Sequence, residues 1–181
     1  MNLANKITIL RIIMVPIFIF FAIIRIPYHM EAAVAVFILA SITDKLDGYI
    51  ARKYNMITDL GKFMDPLADK LLVTGAFLVL IQLGRIEAWM VFVILAREFA
   101  VSGLRTLAAA QNVIIAASSY GKIKTVAQII AIVVLLLDNY PFSMINLPMD
   151  LITTYAALIS TVVSGIDYFK KNMYILKKYK Q

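Results

Sequence analysis

The stretch AAVAVFILASITDKLDGYIARKYNMITDLGKFMDPLADKLLVTGAFLVLIQLG, residues 32–84, sets five aspartates between two of the most apolar runs in the chain. The uncharged run before the acids covers residues 32–43, and the one after them covers residues 71–84. Both are shorter than the roughly 20 residues that a helix needs to cross a bilayer. To span, each helix must carry its charged end along, which places Asp44, Asp47 and Asp69 on helices rather than in a loop. The same reasoning applies to the uncharged run 88–96, whose helix must continue through Arg97 and Glu98.

The rest of the chain fits a bilayer setting. Of its 181 residues, 62% are hydrophobic and only 16% charged, far more apolar than a soluble domain of this length. No Pro/Gly/Ser-rich linker, low-complexity run or internal repeat interrupts the pattern, so one domain over residues 1–181 is expected. The absence of cysteine excludes disulfides, thiolate metal sites and a cysteine nucleophile. A net charge of +7 could signal nucleic acid, but in a membrane protein it reports basic loops and contact with anionic lipid, so nucleic acid is set aside as a partner. The opening NKITILRIIMVPIFIFFAII, residues 5–24, has the outline of a signal peptide. No small-residue cleavage site follows it, and it reads as a first, retained membrane helix.

Six transmembrane helices are expected near residues 7–24, 32–51, 66–83, 88–108, 120–137 and 151–169, giving an all-α integral membrane protein. The bases then set the orientation. Lys6 and Arg11, then Arg52, Lys53 and Lys62, then Arg105, Lys122 and Lys124, and finally Lys170, Lys171, Lys177, Lys178 and Lys180 all fall on one side. The other side holds only Arg25, His29 and Arg85 against Glu31 and Glu87, and its last connection, DNYPFSMINLPMD, has no base. Both termini are therefore expected to be cytoplasmic, with the acids collected in a polar, metal-containing cavity on that side.

Asp44 and Asp47 are three residues apart and Asp65 and Asp69 four apart, so each pair lies on one face of its helix. Asp65 before Pro66 also reads as a helix N-cap with proline at the first helical position. One carboxylate deep in a bilayer costs about 3 kcal/mol, so four cost on the order of 10 kcal/mol before their mutual repulsion is added. Divalent cations relieve this, and a carboxylate cluster without Cys or His favours hard ions such as Mg²⁺, with Mn²⁺ or Ca²⁺ as alternatives. Asp59 reads as an ordinary solvated loop acid.

The pattern Asp44-x-x-Asp47-Gly48-x-x-Ala51-Arg52, eight residues, then Gly61-x-x-x-Asp65-x-x-x-Asp69 resembles at every fixed position the signature of the CDP-alcohol phosphotransferases, an integral-membrane family. The resemblance implies transfer of a substituted phosphate from a CDP-alcohol to an acceptor hydroxyl, with release of CMP. It implies two ions, Mg²⁺ or Mn²⁺, on Asp44, Asp47, Asp65 and Asp69, with Asp69 also the candidate base. It further implies a CDP site formed by Asn5, Thr8, Gly48, Ala51, Arg52 and Gly61, a multi-pass place in the bacterial cytoplasmic membrane and a homodimer. Gly48, Ala51 and Gly61 have little or no side chain, which lets a nucleotide approach the backbone; close helix packing is the plainer reading.

AREFAVSGLRTLAA, residues 96–109, and GKIKT, residues 121–125, resemble segments typical of the phosphatidylglycerophosphate synthases within that family. This implies CDP-diacylglycerol as donor and glycerol 3-phosphate as acceptor. Such an acceptor brings nearly two negative charges and needs fixed cations. Arg105, Lys122 and Lys124 are the candidates for its phosphate. Arg97, Glu98 and Ser102 support the pocket; Glu98, Ser102 and Arg105 share a helical face, so Glu98 is expected to orient an arginine or bond a glycerol hydroxyl. The plainer reading of the bases is anchoring to anionic lipid. Another acceptor, such as inositol phosphate or serine, and an ion or metal transporter are the competing functions.

Overall fold

The computed structural model describes residues 3–53, 59–111, 113, 115 and 118–177, with side chains described for all of these except 3–4, 44–53, 59–60, 62–63, 65–66 and 176–177. Every regular element among them is helical: α1 (Leu3–Ile23), α2 (His29–Lys53), α3 (Asp59–Gln82), α4 (Ala88–Ala110), α5 (Ser119–Leu136) and α6 (Met149–Lys177), with a short 3-10 turn at Phe142–Ile145. Each expected span thus has its helix. The α-helices run from 18 to 29 residues, or about 27–44 Å at 1.5 Å per residue. Among the described residues, three stretches are long and apolar enough to cross a membrane, Asn5–Ile23, Ser119–Leu136 and Met149–Ile175, while α2 has a shorter apolar part, His29–Thr43.

The chain divides into two compact units, Met1–Arg85 and Ile86–Gln181. In the first, α1 packs along both α2 and α3, which meet each other over a shorter stretch. The buried positions of α1 are Asn5, Thr8, Arg11, Val15, Phe18 and Ala22, one stripe recurring every three or four residues. Ala33, Phe37 and Ala40 form the buried stripe of α2, and Ala68, Leu72, Ala76 and Leu80 that of α3. Small residues let helices approach closely where lipid provides little hydrophobic drive for association. Phe18 and Phe37 fill the space left, with ring centroids 5.7 Å apart. The end of α3 is a Schellman motif: Arg85 N donates to Leu80 O at 3.0 Å and Gly84 N to Ile81 O at 2.9 Å. Gly84 sits at φ +68°, a conformation that glycine adopts without steric cost.

In the second unit α6 is the central helix, packed on α5 and α4. Its buried stripe reads Thr154, Ala157, Thr161, Ser164, Tyr168, Asn172 and Ile175. The hydroxyls of Thr154 and Thr161 donate one turn back to the carbonyls of Asp150 and Ala157, each at 2.6 Å, so they are buried without loss of a partner. Gln128 of α5 donates to Thr161 Oγ1 at 3.0 Å. Val101, Leu104 and Ala108 of α4 cluster with Tyr168 and Ile175.

The start of α3 differs from the sequence expectation. Asp59 opens the helix rather than lying in a loop, and Pro66 is inside it, so Asp65 is an interior residue and not an N-cap. An Asp-Pro pair marks a start by local preference only. Here the backbone is already helical from Asp59, through buried Gly61, and the helix tolerates the one N–H that proline lacks.

Candidate functional site

Unit 1 builds its polar centre on α1. Helical spacing puts Asn5, Thr8 and Arg11 on one stripe, and they are 4%, 1% and 0% exposed. Arg11 Nη1 donates to Asp69 Oδ1 of α3 at 2.6 Å. The arginine side chain is fully enclosed while that of Asp69 is 49% exposed. A guanidinium out of contact with water is tolerated only with a counter-charge and good hydrogen bonds, and Asp69 provides the charge. In return the carboxylate is fixed from beneath and keeps an open side. The place of Arg11 at the start of α1 reads as that of an orienting base, but the structure encloses it within the unit. Its spacing with Asn5 and Thr8 was the signal for that.

Helical register places positions 44, 47, 48 and 51 on one stripe of α2, and positions 61, 65 and 69 on one stripe of α3. The side chains of Asp44, Asp47, Ala51, Arg52 and Asp65, and the surroundings of Gly48, lie outside the described residues. Gly61 is buried. The donor set suits a hard divalent cation, since every candidate ligand is a carboxylate oxygen.

Unit 2 gathers cations around one acid. Glu98 of α4 accepts from Lys124 Nζ of α5, and from Arg97 Nη1 at 3.4 Å. Arg97 Nη2 donates to Ser164 Oγ of α6 at 2.7 Å. Lys124 is 6% exposed. Beyond this group, Arg105 Nε donates to the Tyr168 hydroxyl at 2.9 Å, and its Cζ lies 5.5 Å from the centroid of that ring. Arg97 and Lys124 thus share a single carboxylate, and Arg105, about two turns along α4 from Arg97, adds to the excess of positive charge. Such an excess attracts a dianion.

Of the residues expected to take an acceptor phosphate, Lys124 is buried against Glu98 and Arg105 is exposed and held by Tyr168, whereas Lys122 is exposed on α5. Two residues apart on a helix means about 200° of rotation, so the two lysines point to different sides. Glu98 orients Arg97 and Lys124, not Arg105, and Ser102 is half-buried on α4. Ser164, Gly165 and Tyr168 of α6 join this group without being part of any sequence motif. Their signal was a run of polar residues at helical spacing, Thr154, Thr161, Ser164, Tyr168 and Asn172, inside an otherwise apolar segment. At the start of α5 Ser118 Oγ accepts from Gly121 N at 3.1 Å, an N-cap that fixes the turn carrying Lys122 and Lys124.

Residues 1–163 match the family model described as CDP-alcohol phosphatidyltransferase. A CDP-diacylglycerol–glycerol-3-phosphate 3-phosphatidyltransferase of Bacillus subtilis (strain 168) is 47% identical, with 97% of each chain covered. One of the same description from Rickettsia bellii is 41% identical, covering 93% of this chain and 94% of its own. A probable phosphatidylglycerophosphate synthase of Mycobacterium tuberculosis is also 41% identical, over 92% of this chain and 79% of its own.

Proposed function

We propose, from the premise that this chain belongs to the CDP-alcohol phosphatidyltransferase family, that it transfers the phosphatidyl group of CDP-diacylglycerol to glycerol 3-phosphate and releases CMP. The observation that carries the acceptor is the excess of cations in unit 2: Arg97 and Lys124 share Glu98 and Arg105 follows about two turns along α4, which suits a phosphate dianion and not a zwitterion such as serine. Inositol phosphate has the same charge. The names of the relatives favour glycerol 3-phosphate over it.

In this reading Asn5, Thr8, Gly48, Ala51, Arg52 and Gly61 receive the CDP group. Asp44, Asp47, Asp65 and Asp69 hold divalent cations, two Mg²⁺ or Mn²⁺ ions, which when bound neutralise the donor pyrophosphate and the leaving CMP. Arg11 keeps the Asp69 carboxylate in place from its enclosed side. Asp69 takes the proton of the acceptor hydroxyl as that oxygen bonds to the phosphatidyl phosphorus, and the bond from phosphorus to the CMP oxygen breaks with its electron pair. Arg105, Lys122 and Lys124 take the acceptor phosphate, with Arg97, Glu98 and Ser102 as support.

The six helices then span the bacterial cytoplasmic membrane with both termini inside, and the protein works as a homodimer. Single cysteines at Lys171 and Met144, both exposed, should react with a membrane-impermeant reagent from opposite faces; labelling from one face would overturn this topology. The activity is tested with purified protein in vesicles containing CDP-diacylglycerol, offered glycerol 3-phosphate, inositol phosphate and serine in competition. Phosphatidylglycerophosphate and CMP in equal amounts are expected. A preference for either other acceptor would overturn the assignment.

A further inference from the structure

Ser164, Gly165 and Tyr168 lie just beyond the segment that the family model matches, which ends at residue 163. Each of them touches an arginine of α4. Ser164 Oγ accepts from Arg97 Nη2 at 2.7 Å. A Cβ at Gly165 would stand 3.0 Å from Arg97 Cγ, so the absence of a side chain there is what leaves room for the arginine stem. Tyr168 binds Arg105 twice, through its hydroxyl and through its ring. Tyr168 is 2% exposed and packed in the core, which makes it a firm support.

The spacing has a geometric consequence. Arg97 and Arg105 are eight residues apart on α4, about 12 Å along its axis, but their anchors Ser164 and Tyr168 are four apart on α6, about 6 Å. Both arginines are therefore held by a single turn of α6. Tyr168 occupies Nε of Arg105 and leaves its two terminal nitrogens with no partner among the described residues, the fork that binds an oxyanion bidentately. Arg97 Nε is likewise buried with no partner among them.

We propose that Ser164, Gly165 and Tyr168 form a positioning element of α6 that brings the guanidiniums of Arg97 and Arg105 together on the acceptor's phosphate. This rests on the acceptor reading above and adds to it the residues that determine how tightly the acceptor is held. None of the three is a catalytic residue; they act through the arginines.

The test is the kinetics of full-length protein in vesicles with CDP-diacylglycerol and glycerol 3-phosphate. Tyr168→Phe keeps the ring and removes the hydroxyl, and should raise the acceptor KM roughly three- to tenfold while kcat, the donor KM and the thermal midpoint stay near wild type. Ser164→Ala and Gly165→Ala should do the same through Arg97, and Tyr168→Leu, which also loses the ring, should exceed Tyr168→Phe. In an Arg105→Lys background, where Nε is gone, Tyr168→Phe should have no further effect. If Arg105→Ala raises the acceptor KM while Tyr168→Phe, Ser164→Ala and Gly165→Ala all leave it within about twofold, the positioning element is wrong and the acceptor site stands. Variants that lower kcat, both KM-dependent rates and the thermal midpoint together would also overturn it, by showing a structural role only. If wild-type protein ignores glycerol 3-phosphate, or Arg105→Ala changes nothing, the acceptor reading itself fails and this inference fails with it.

Discussion

In the first unit the central helix α1 encloses the Arg11 guanidinium against the Asp69 carboxylate; in the second, the buried polar groups of the central helix α6 are, among the described residues, neutral hydroxyls and amides, and α6 receives cations from α4. Both helices present a stripe repeating every three to four residues, so the packing solution is shared. The electrostatic solutions are opposite. Arg11 fixes Asp69 from its enclosed side while that carboxylate stays half exposed, which suits cation binding. The two cations on Glu98, with Arg105 further along α4, do not cancel, which suits anion binding. A reaction that joins a pyrophosphate donor with a phosphate-bearing acceptor needs both kinds of surroundings, and the chain provides one in each unit.

The comparison breaks most decisively at the acids. Asp44→Asn and Asp65→Asn keep side-chain shape and remove charge, so turnover should fall by about three orders of magnitude or more and should not return with excess Mg²⁺. Chelator-treated protein should be inactive until metal is returned. Near-normal turnover in either variant would remove the cation-binding half of the comparison.

A smaller effect is expected at the basic centre. Arg105→Ala should lower kcat/KM for glycerol 3-phosphate by roughly ten- to a hundredfold, since a charge-assisted contact is worth about 1.5–3 kcal/mol. Arg105→Lys should recover part of this, because the charge stays and the forked geometry is lost. The donor KM should hardly move. An equal rise in both KM values would mean that the cations serve binding in general and not the acceptor.

Stability separates the two units in a different way. Arg11→Met leaves Asp69 without its enclosed partner, and because that carboxylate is half exposed the cost should fall below the 3–5 kcal/mol of a fully buried pair, at about 1–3 kcal/mol. Lys124→Met leaves Glu98 still paired with Arg97 and relieves crowding among cations, so it should cost less than Arg11→Met. Thermal unfolding in one detergent reads both. A larger loss in Lys124→Met would show that unit 2 is also built on a cancelling pair.

The helices were legible because charge limits where an apolar run can end: residues 32–43, 71–84 and 88–96 are too short to span, and the helices do run on through Asp44, Asp69, Arg97 and Glu98. The acids were legible from spacing. What was not legible depends on neighbours from distant parts of the chain. Arg11 looks like an interfacial base until α3 brings Asp69 to it, and Gly165 looks like any small residue of a membrane helix until Arg97 fills its place. The start of α3 was misread because Asp65-Pro66 is a strong local signal and nothing in residues 59–64 announces a helix that has already begun.

Lys122 and Lys124 show the last and smallest difference. Two residues apart in sequence, they read as one phosphate grip, yet Lys124 is buried on Glu98 and Lys122 stands exposed on another side of α5. A buried charge acts by contact and is little screened by salt, whereas an exposed one acts through the field over about 10 Å at 0.1 M salt. Lys122→Ala should therefore raise the acceptor KM by about threefold at low ionic strength and by almost nothing at about 0.5 M, as expected of solvent-exposed charges. Lys124→Ala should keep its effect in both. Acceptor KM measured for the two variants across a salt series decides it: a salt-independent rise for Lys122→Ala would mean that this lysine contacts the phosphate directly, and that the two lysines act as one grip after all.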